Sequence, residues 1–214
     1  MNNKFNYRMF GRSKGRSKKN KFIYDLNSFN IKKIDPLYYN VIDIGSGYGE
    51  STLEIAKRDT NKIVIACEKY QDGLYNIIEK KLINSLNNIF IFNGNAHQFL
   101  DEYCSENSIS EIWILFPDPW PKKRHYKRRL INLSFFKKIK KYLKQGAIIH
   151  IASDSNSYIC HILNTAYKIK TNYKWINQNK DEWDYANLSM PKTKYFQKAL
   201  EKGCNPFYLK LMKL

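Results

Sequence analysis

Residues 41–52, VIDIGSGYGEST, place three glycines between a short apolar run and a segment with helical spacing. The apolar run is rich in branched side chains, which is typical of a buried strand. Glycine permits a tight turn after such a strand and lets a ligand approach the backbone closely. The stretch therefore predicts a strand, a glycine turn and a helix, the first unit of an α/β fold with a nucleoside site at the turn.

The same alternation continues along the chain on both sides of this stretch. Branched apolar runs occupy residues 40–44, 62–67, 89–92, 111–116 and 147–152, and helical spacing occupies 50–58, 71–85, 96–103, 130–144 and 155–168. Strands that are apolar throughout are typical of a parallel sheet covered by helices on both faces. We therefore predict a Rossmann-like fold: an open, doubly wound, mostly parallel sheet with its ligands at the carboxyl ends of the strands.

The last part of the chain departs from this pattern. Residues 193–202 have helical spacing and are followed by Gly203, which favours a helix that ends there. Apolar and polar side chains then alternate over residues 206–214, as in a half-buried strand. We predict that this strand is antiparallel and lies near the sheet's edge.

Negative charge surrounds the glycine turn. Glu50 stands where a dinucleotide fingerprint would have its third glycine, and a carboxylate in the first turn of a helix opposes phosphate binding there. Asp43 precedes the turn, and Glu68 ends the second strand, where an acid commonly accepts hydrogen bonds from ribose. With Gly45 and Gly47, these acids favour a nucleoside that carries positive charge and no phosphate, such as S-adenosylmethionine. The alternative is a plain turn whose acids are caps or surface charges.

Asn95 and Ala96 follow the third strand at the same predicted edge. An asparagine side chain can both donate and accept hydrogen bonds, which suits the edge of an adenine. Asn95 would serve equally well as the N-cap of the helix that follows. The sequence leaves both interpretations open.

The second notable stretch is FPDPWPKKRHYKRR, residues 116–129, which follows the fourth predicted strand. Prolines flank Asp118 on both sides, and each proline restricts its own φ and favours an extended residue before it. We therefore expect Asp118 to be held rigidly in the crevice that also contains the glycine turn, as a catalytic acid must be. The alternative is a loop acid that caps a neighbouring backbone group.

Positive charge dominates the composition. The 37 Lys and Arg against 19 Asp and Glu give a formal net charge of +18, which implies polyanionic partners such as nucleic acid. Part of this excess follows from a composition rich in lysine throughout, but the charge is densest over residues 8–21 and 122–129. We predict a basic flexible arm over residues 1–30 and a single domain over residues 31–214.

The sequence also argues against a metal centre and a membrane span. Cys67, Cys104, Cys160 and Cys204 form no C-x-x-C pair, and no histidine stands at metal-ligand spacing from them. These cysteines are typical of reduced residues in a cytoplasmic protein. The apolar runs are all shorter than the roughly 20 residues needed to cross a bilayer.

The 116–129 stretch resembles the signature of the bacterial tRNA (guanine-N7)-methyltransferase family. The glycine turn, Glu68, the ASD segment at 152–154 and the PKTK segment at 191–194 occur in that family's order, so the resemblance covers nearly the whole chain. It implies a class I methyltransferase fold and an enzyme that transfers a methyl group from S-adenosylmethionine to N7 of a guanine in the variable loop of tRNA. We expect a monomer or a homodimer.

The resemblance also implies roles for individual residues. S-adenosylmethionine would be bound by Asp43, Gly45, Gly47, Glu68, Asn95, Ala96 and Asp118, and Asp118 would also be catalytic. The RNA would be contacted by Lys122, Arg124, His125, Tyr126, Lys127, Arg128, Arg129, Asp154, Thr193 and Lys194. Cationic side chains in the 122–129 segment can neutralise phosphates, and Trp120, His125 and Tyr126 can stack on a base. Asp154 and Thr193 each precede a predicted helix, so either could instead be only an N-cap.

Three positions depart from the family pattern. Asp43 and Asn95 replace a glutamate and an aspartate, and Phe196 replaces the glutamate of the family's T-K-F-E segment. Two other functions therefore stay open: a methyltransferase that acts on an amino group of another RNA or protein, and a catalytically silent RNA-binding protein of the same fold.

Overall fold

The computed structural model of this protein describes residues 24–214, which build one seven-stranded sheet in the order β3-β2-β1-β4-β5-β7-β6. The strands are β1 (Tyr39–Ile44), β2 (Lys62–Glu68), β3 (Ile89–Asn93), β4 (Ile109–Leu115), β5 (Leu143–Ser153), β6 (Tyr173–Trp175) and β7 (Phe207–Lys213). Strands β1 to β5 run parallel, and β7 pairs antiparallel with both β5 and β6. The predicted mostly parallel sheet and the antiparallel C-terminal strand are confirmed.

Six α-helices connect or follow these strands within the described residues. They are α1 (Glu50–Arg58), α2 (Gln71–Ile83), α3 (Ala96–Tyr103), α4 (Leu133–Ile139), α5 (Asn156–Lys168) and α6 (Lys194–Glu201). Short 3₁₀ helices lie at Leu26–Phe29, Lys123–Arg128, Asp181–Trp183 and Tyr185–Asn187. The connections after the parallel strands place five chain segments at the carboxyl edge of the sheet, where open α/β folds bind ligands.

A hydrophobic core covers each face of the sheet. One core contains Phe99, Phe135 and Tyr158, from α3, α4 and α5, and the other contains Leu53 and Ile77, from α1 and α2. The middle strands are buried on both faces, which explains why their sequences are apolar without alternation. Burial on both sides fixes the register of these strands and so fixes the positions of the residues at their carboxyl ends.

The long helix predicted over residues 130–144 is wrong. Asn132 accepts a hydrogen bond from the Phe135 backbone N–H at 2.9 Å and so starts α4 late, and α4 ends at Ile139. Leu143 already begins β5, because it is buried as a strand partner of Ile109. Apolar residues of a helix and of the next strand are contiguous here, and their spacing alone does not separate them.

The prediction that the C-terminal strand lies near the sheet's edge is confirmed, because β7 is next to last in the sheet and the three-residue strand β6 pairs with it outside. Residues 24–30, assigned above to the arm, contact the domain: Leu26 is buried, and Asn30 forms an isolated parallel β-bridge with Ile91. The rest of the predicted arm, residues 1–23, lies outside the described residues.

Neither a membrane span nor a metal centre is found in the part of the chain that the structure describes. None of the helices within residues 24–214 is long and apolar enough to cross a bilayer. No group of three or more His, Cys, Asp and Glu side chains in the same range is arranged to hold a metal ion.

Candidate active site

The glycine turn, residues 45–49, leaves β1 in a conformation that requires glycine. Gly45, Gly47 and Gly49 have φ of 75°, 56° and 84°, in the left-handed region. A Cβ added at Gly45 or Gly47 would meet no atom within 4 Å, so open space lies in front of the turn. Behind the turn there is no such space, because a Cβ at Gly73 of α2 would lie 2.1 Å from the Gly47 carbonyl oxygen. The turn therefore forms one wall of an open crevice.

Glu68, at the end of β2, fixes this turn. Its Oε2 accepts a hydrogen bond from the Gly47 backbone N–H at 2.8 Å. Its Oε1 accepts from the backbone N–H groups of Lys69 and Tyr70, at 2.7 and 2.8 Å. Each carboxylate oxygen can accept more than one hydrogen bond, so these contacts orient the group and leave acceptor capacity for a ligand.

Asp43 is enclosed rather than open to the crevice. It is 1% exposed, and its Oδ2 accepts from Ser51 Oγ at 2.5 Å and Thr52 Oγ1 at 2.7 Å, which ties β1 to α1. Burial raises the pKa of Asp43 from its ordinary 3.8 to about 6, although the hydrogen bonds from Ser51 and Thr52 oppose the shift. Asp43 thus supports the glycine turn from behind, and its contact with a ligand stays a prediction.

This burial makes stability depend on pH. The folded state binds the Asp43 proton more tightly than the unfolded state, so the contribution of Asp43 to stability is lost as the pH rises from about 4 to about 6. We expect the wild type to lose about 2 to 3 kcal/mol relative to Asp43→Asn over this range. Urea unfolding of both proteins at each pH measures the difference, because the other carboxyl groups titrate in both. An unchanged difference would mean that Asp43 does not titrate in this window.

Asn95 caps α3, as one of the two open interpretations predicted. Its Oδ1 accepts from the Gln98 backbone N–H at 2.9 Å, and Ala96 is buried beneath it at the start of the helix. The cap holds Asn95 beside the carboxyl ends of β2 and β3, where the Gly94 N–H donates to the Glu68 carbonyl at 3.0 Å. The contact of Asn95 with adenine is compatible with this position and stays a prediction.

Asp118 lies in the proline loop, residues 116–121, which follows β4 at the same edge of the sheet as the glycine turn. The Phe116 backbone N–H donates to the Ala152 carbonyl at 2.9 Å and anchors the loop's start to β5. Asp118 is exposed to solvent, and its contact with a ligand stays a prediction.

The backbone of this loop differs from the expected extended form. Phe116 and Trp120, which each precede a proline, have φ of 52° and 42°. Bulky residues rarely adopt the left-handed region, and such strain persists only where surrounding contacts impose it. Phe116 packs edge-on against Tyr185 with ring centroids 5.5 Å apart, and Trp120 packs against His125 at 5.8 Å. The prediction of extended residues at both positions is wrong, and the loop turns more sharply.

The basic block, residues 122–129, is a 3₁₀ helix flanked by two residues. Lys122, Lys123, Arg124 and Lys127 are exposed, as a phosphate-binding surface requires. Desolvation and, after it, the nearby cations Arg128 and Arg124 hold the pKa of His125 below its ordinary value.

Two side chains of the basic block contact aromatic rings rather than solvent alone. The Arg128 guanidinium lies 4.9 Å from the Trp120 ring centroid, and the Tyr126 ring lies 3.7 Å from the Arg129 guanidinium. The Arg128 contact holds the block against the proline loop, whereas the Arg129–Tyr126 contact lies within the block.

Arg129 is not a surface cation, and its assignment as a phosphate contact is wrong for this structure. It is 1% exposed, and its guanidinium donates to the Pro119 carbonyl, the Ser157 carbonyl and Ser157 Oγ at 2.8, 3.0 and 2.9 Å. The run of charges in the sequence gave no sign of this burial, because the enclosing residues lie in another part of the chain.

The remaining predicted RNA contacts, Asp154, Thr193 and Lys194, lie at the starts of α5 and α6. Asp154 is half-buried between β5 and α5 and is not the N-cap, since Ser155 holds that position. Thr193 is the N-cap of α6, where its Oγ1 accepts from the Phe196 N–H at 3.1 Å, and Lys194 is exposed beside it. Phe196 is buried against Tyr185, with ring centroids 5.1 Å apart, so it faces the core instead of the crevice.

Two tyrosines that were not predicted as site residues lie beside the glycine turn. Tyr48 lies in the turn itself, and its hydroxyl is 3.2 Å from that of Tyr70, two residues after Glu68. The Lys194 Nζ lies 5.7 Å from the Tyr48 ring centroid, so α6 reaches across to the turn. These tyrosines could have been predicted from the sequence, because they are aromatic residues next to the predicted ligand-binding turn and Glu68.

A cavity of about 610 Å³ lies elsewhere in the described part of the chain. Its charged floor comes from Lys62 and Glu111, near the amino ends of β2 and β4, away from the ligand-binding edge. Glu111 accepts hydrogen bonds from Tyr39, Lys62 and Trp113 at 2.7, 2.9 and 3.0 Å. These bonds satisfy a buried carboxylate between strands, which is a structural role.

The sheet order and the glycine turn define the class of protein: a methyltransferase fold of the Rossmann-like class I kind. A crystal structure described as "a putative methyltransferase from streptococcus mutans in complex with SAH" aligns with a TM-score of 0.56 and 17% identity. The alignment covers 87% of this chain and 94% of that one, and it shows the fold.

The sequence comparisons define the family within this class. The profile of the family described as "Putative methyltransferase" matches residues 39–209. The tRNA (guanine-N(7)-)-methyltransferase of Nitrosomonas europaea is 34% identical over 163 residues, which are 76% of this chain and 71% of that protein. The chain belongs to the tRNA (guanine-N7)-methyltransferase family.

The relatives differ in how much of their length is matched. The Paenarthrobacter aurescens tRNA (guanine-N(7)-)-methyltransferase is 38% identical over 122 residues, which are 57% of this chain and 40% of that protein. For the relative from Ruegeria sp. the matched share is 65% of its length.

Proposed function

We propose that this protein transfers the methyl group of S-adenosylmethionine to N7 of a guanine in tRNA, in the variable loop, and gives 7-methylguanosine. The observation that carries the proposal is the position of Asp118. It is exposed in a stiff loop at the same sheet edge as the glycine turn, and the exposed cations of the basic block follow directly. A methyl donor, an acceptor base and a phosphate backbone can therefore meet there. The protein would act in the cytoplasm, where tRNA is found.

The residues at the glycine turn suit a cationic nucleoside. The space in front of Gly45 and Gly47 is open, and Glu50 follows the turn at the start of α1. This carboxylate and Glu68 favour a sulfonium and an amino group over a phosphate. Glu68 is oriented by three backbone donors and can accept from ribose hydroxyls at its remaining lone pairs.

The chemistry needs no base on the attacking atom. Guanine N7 is already a lone-pair acceptor, so it attacks without losing a proton. When bound, S-adenosylmethionine supplies an activated methyl group whose carbon–sulfur bond breaks with the electron pair leaving on sulfur. Positive charge then moves to the purine ring, and the Asp118 carboxylate would bind the base and ease this charge. The rigid loop would align N7 with the methyl carbon, which supplies much of the rate acceleration.

The exposed cations of the basic block are the proposed phosphate contacts. Changing Lys123, Arg124 and Lys127 together to Gln should weaken tRNA binding at all sequences alike. The slope of log affinity against log salt concentration should fall by about 1 for each phosphate contact removed. Filter binding over a series of salt concentrations measures both quantities.

A matched triple variant separates local contacts from net charge. Lys137, Lys141 and Lys170 are exposed near the opposite edge of the sheet, and changing them to Gln removes the same charge. We expect this control to leave the slope close to that of the wild type. Equal slopes for both triple variants would show that the basic block is not the RNA surface.

The direct test of the proposed function is product analysis. Purified protein is incubated with S-adenosylmethionine and unfractionated tRNA, and the tRNA is then digested to nucleosides. The proposal expects 7-methylguanosine. A methylated amino group on another nucleoside, or no methylation at all, would contradict it and favour one of the other two functions.

A further inference from the structure

Arg129 is a buried arginine at the junction of three segments of the candidate active site. Arg129 is among the largest side chains of the described residues with less than 2% exposure. A charged side chain is rarely buried to this degree unless its charge is compensated. None of the ion pairs found in residues 24–214 includes Arg129. Its positive charge is therefore compensated by carbonyl and hydroxyl oxygens and by aromatic rings.

Each part of the guanidinium has a different partner. Nε donates to the Pro119 carbonyl at 2.8 Å, which is the carbonyl directly after Asp118. Nη1 and Nη2 donate to the Ser157 carbonyl and Ser157 Oγ, at 3.0 and 2.9 Å, in the first turn of α5. The planar fork of arginine directs donors on three separate nitrogens at these three acceptors, whereas all three donors of lysine lie on one nitrogen and cannot match that spacing.

Two tyrosine rings enclose the same group. The guanidinium carbon lies 3.7 Å from the Tyr126 ring centroid and 4.8 Å from that of Tyr158. Tyr126 belongs to the basic block, and Tyr158 is fully buried in α5, where its hydroxyl accepts from the Ile131 backbone N–H at 3.0 Å. Arg129 therefore joins the proline loop, the basic block and α5, which begins two residues after Asp154.

We propose that Arg129 is a positioning residue that holds the proline loop, and so Asp118, against the start of α5 and in fixed register with the exposed cations of the basic block. The strain at Phe116 and Trp120 supports this role, because left-handed bulky residues need outside contacts to maintain them. The inference rests on the proposed function for its effect on catalysis. The fixation of the proline loop by Arg129 does not depend on the proposed function.

The test compares Arg129→Lys and Arg129→Met with the wild type. Both variants lose the fork, so we expect both to lower the single-turnover methylation rate at saturating tRNA by about 10- to 100-fold, the effect of a small misplacement. The dissociation constant of S-adenosylmethionine should change less than about 2-fold, because the glycine turn does not contact Arg129. Amide hydrogen exchange over residues 116–122 should become faster in both variants.

The opposite results are expected if Arg129 contacts a phosphate of the RNA. If Arg129 bound RNA, Arg129→Lys would keep the wild-type rate, and Arg129→Met would lower the salt slope of tRNA binding by about 1. Either result, or unchanged exchange in the loop, would overturn the proposal. Tyr173→Phe is the stability control, since it removes a buried hydrogen bond to the Phe136 carbonyl far from this edge and should leave the rate unchanged.

A milder variant covers the case in which neither Arg129 variant folds. Ser157→Ala removes only one acceptor of the fork and should lower the rate a few-fold with faster loop exchange; a wild-type rate and exchange would count against the proposal. Failure of the proposed function is recognisable separately. Wild-type protein would then give no 7-methylguanosine, while the exchange comparison would still decide whether Arg129 holds the loop.

Discussion

Asp118→Asn should lower the single-turnover rate of guanine methylation by about 100-fold or more and leave tRNA affinity nearly unchanged. The substitution keeps the size of the side chain and one acceptor oxygen but removes the negative charge. Because the methyl transfer places positive charge on the purine, the lost charge raises the energy of the transition state more than that of the bound ground state. Asp118 is exposed to solvent, so the exchange of one atom should not disturb folding.

The control for this experiment is an exposed acid at the other end of the molecule. Glu106→Gln removes the same charge beside Lys137 and Lys141, away from the carboxyl edge of the sheet. We expect its methylation rate to equal that of the wild type. A wild-type rate in Asp118→Asn would remove Asp118 from the catalytic residues. The contribution of the proline loop to the rate would then be the alignment of the reacting atoms.

Glu68→Gln should weaken S-adenosylmethionine binding by about 1.5 to 3 kcal/mol, the range for a hydrogen bond to a charged group. The carboxylate accepts from the backbone N–H groups of Gly47, Lys69 and Tyr70, and a glutamine would turn its NH₂ group toward one of these donors. The glycine turn would lose its fixed position, and the ribose would lose an acceptor. Isothermal titration calorimetry with S-adenosylmethionine measures the change.

The affinity for tRNA should stay near its wild-type value in Glu68→Gln, because the basic block lies on a different loop. Glu106→Gln again serves as the control and should bind the donor normally. If Glu68→Gln binds S-adenosylmethionine as the wild type does, the end of β2 is not part of the donor site.

Local patterns predicted those parts of the fold whose causes are local. The glycine turn, the order of strands and helices and the late antiparallel strand follow from spacing and from residues that permit or prevent a conformation. The prediction of a helix over residues 130–144 was wrong because Ile139 and Leu143 are both apolar, although Ile139 ends a helix and Leu143 begins a strand. The three-residue strand β6 was missed because so short a strand has no periodicity to detect.

The chemical groups of the site and their order along the chain can be read from the sequence: the glycine turn, Glu68, Asn95, Asp118 and the cations that follow. Which charged groups near them are buried depends on the tertiary fold. Asp43 and Arg129 are both charged and both 1% exposed, Asp43 under α1 and Arg129 between the proline loop and α5. The partners that enclose Arg129 include Ser157, 28 residues away along the chain. Burial is a property of such distant contacts, and a sequence pattern records only neighbours.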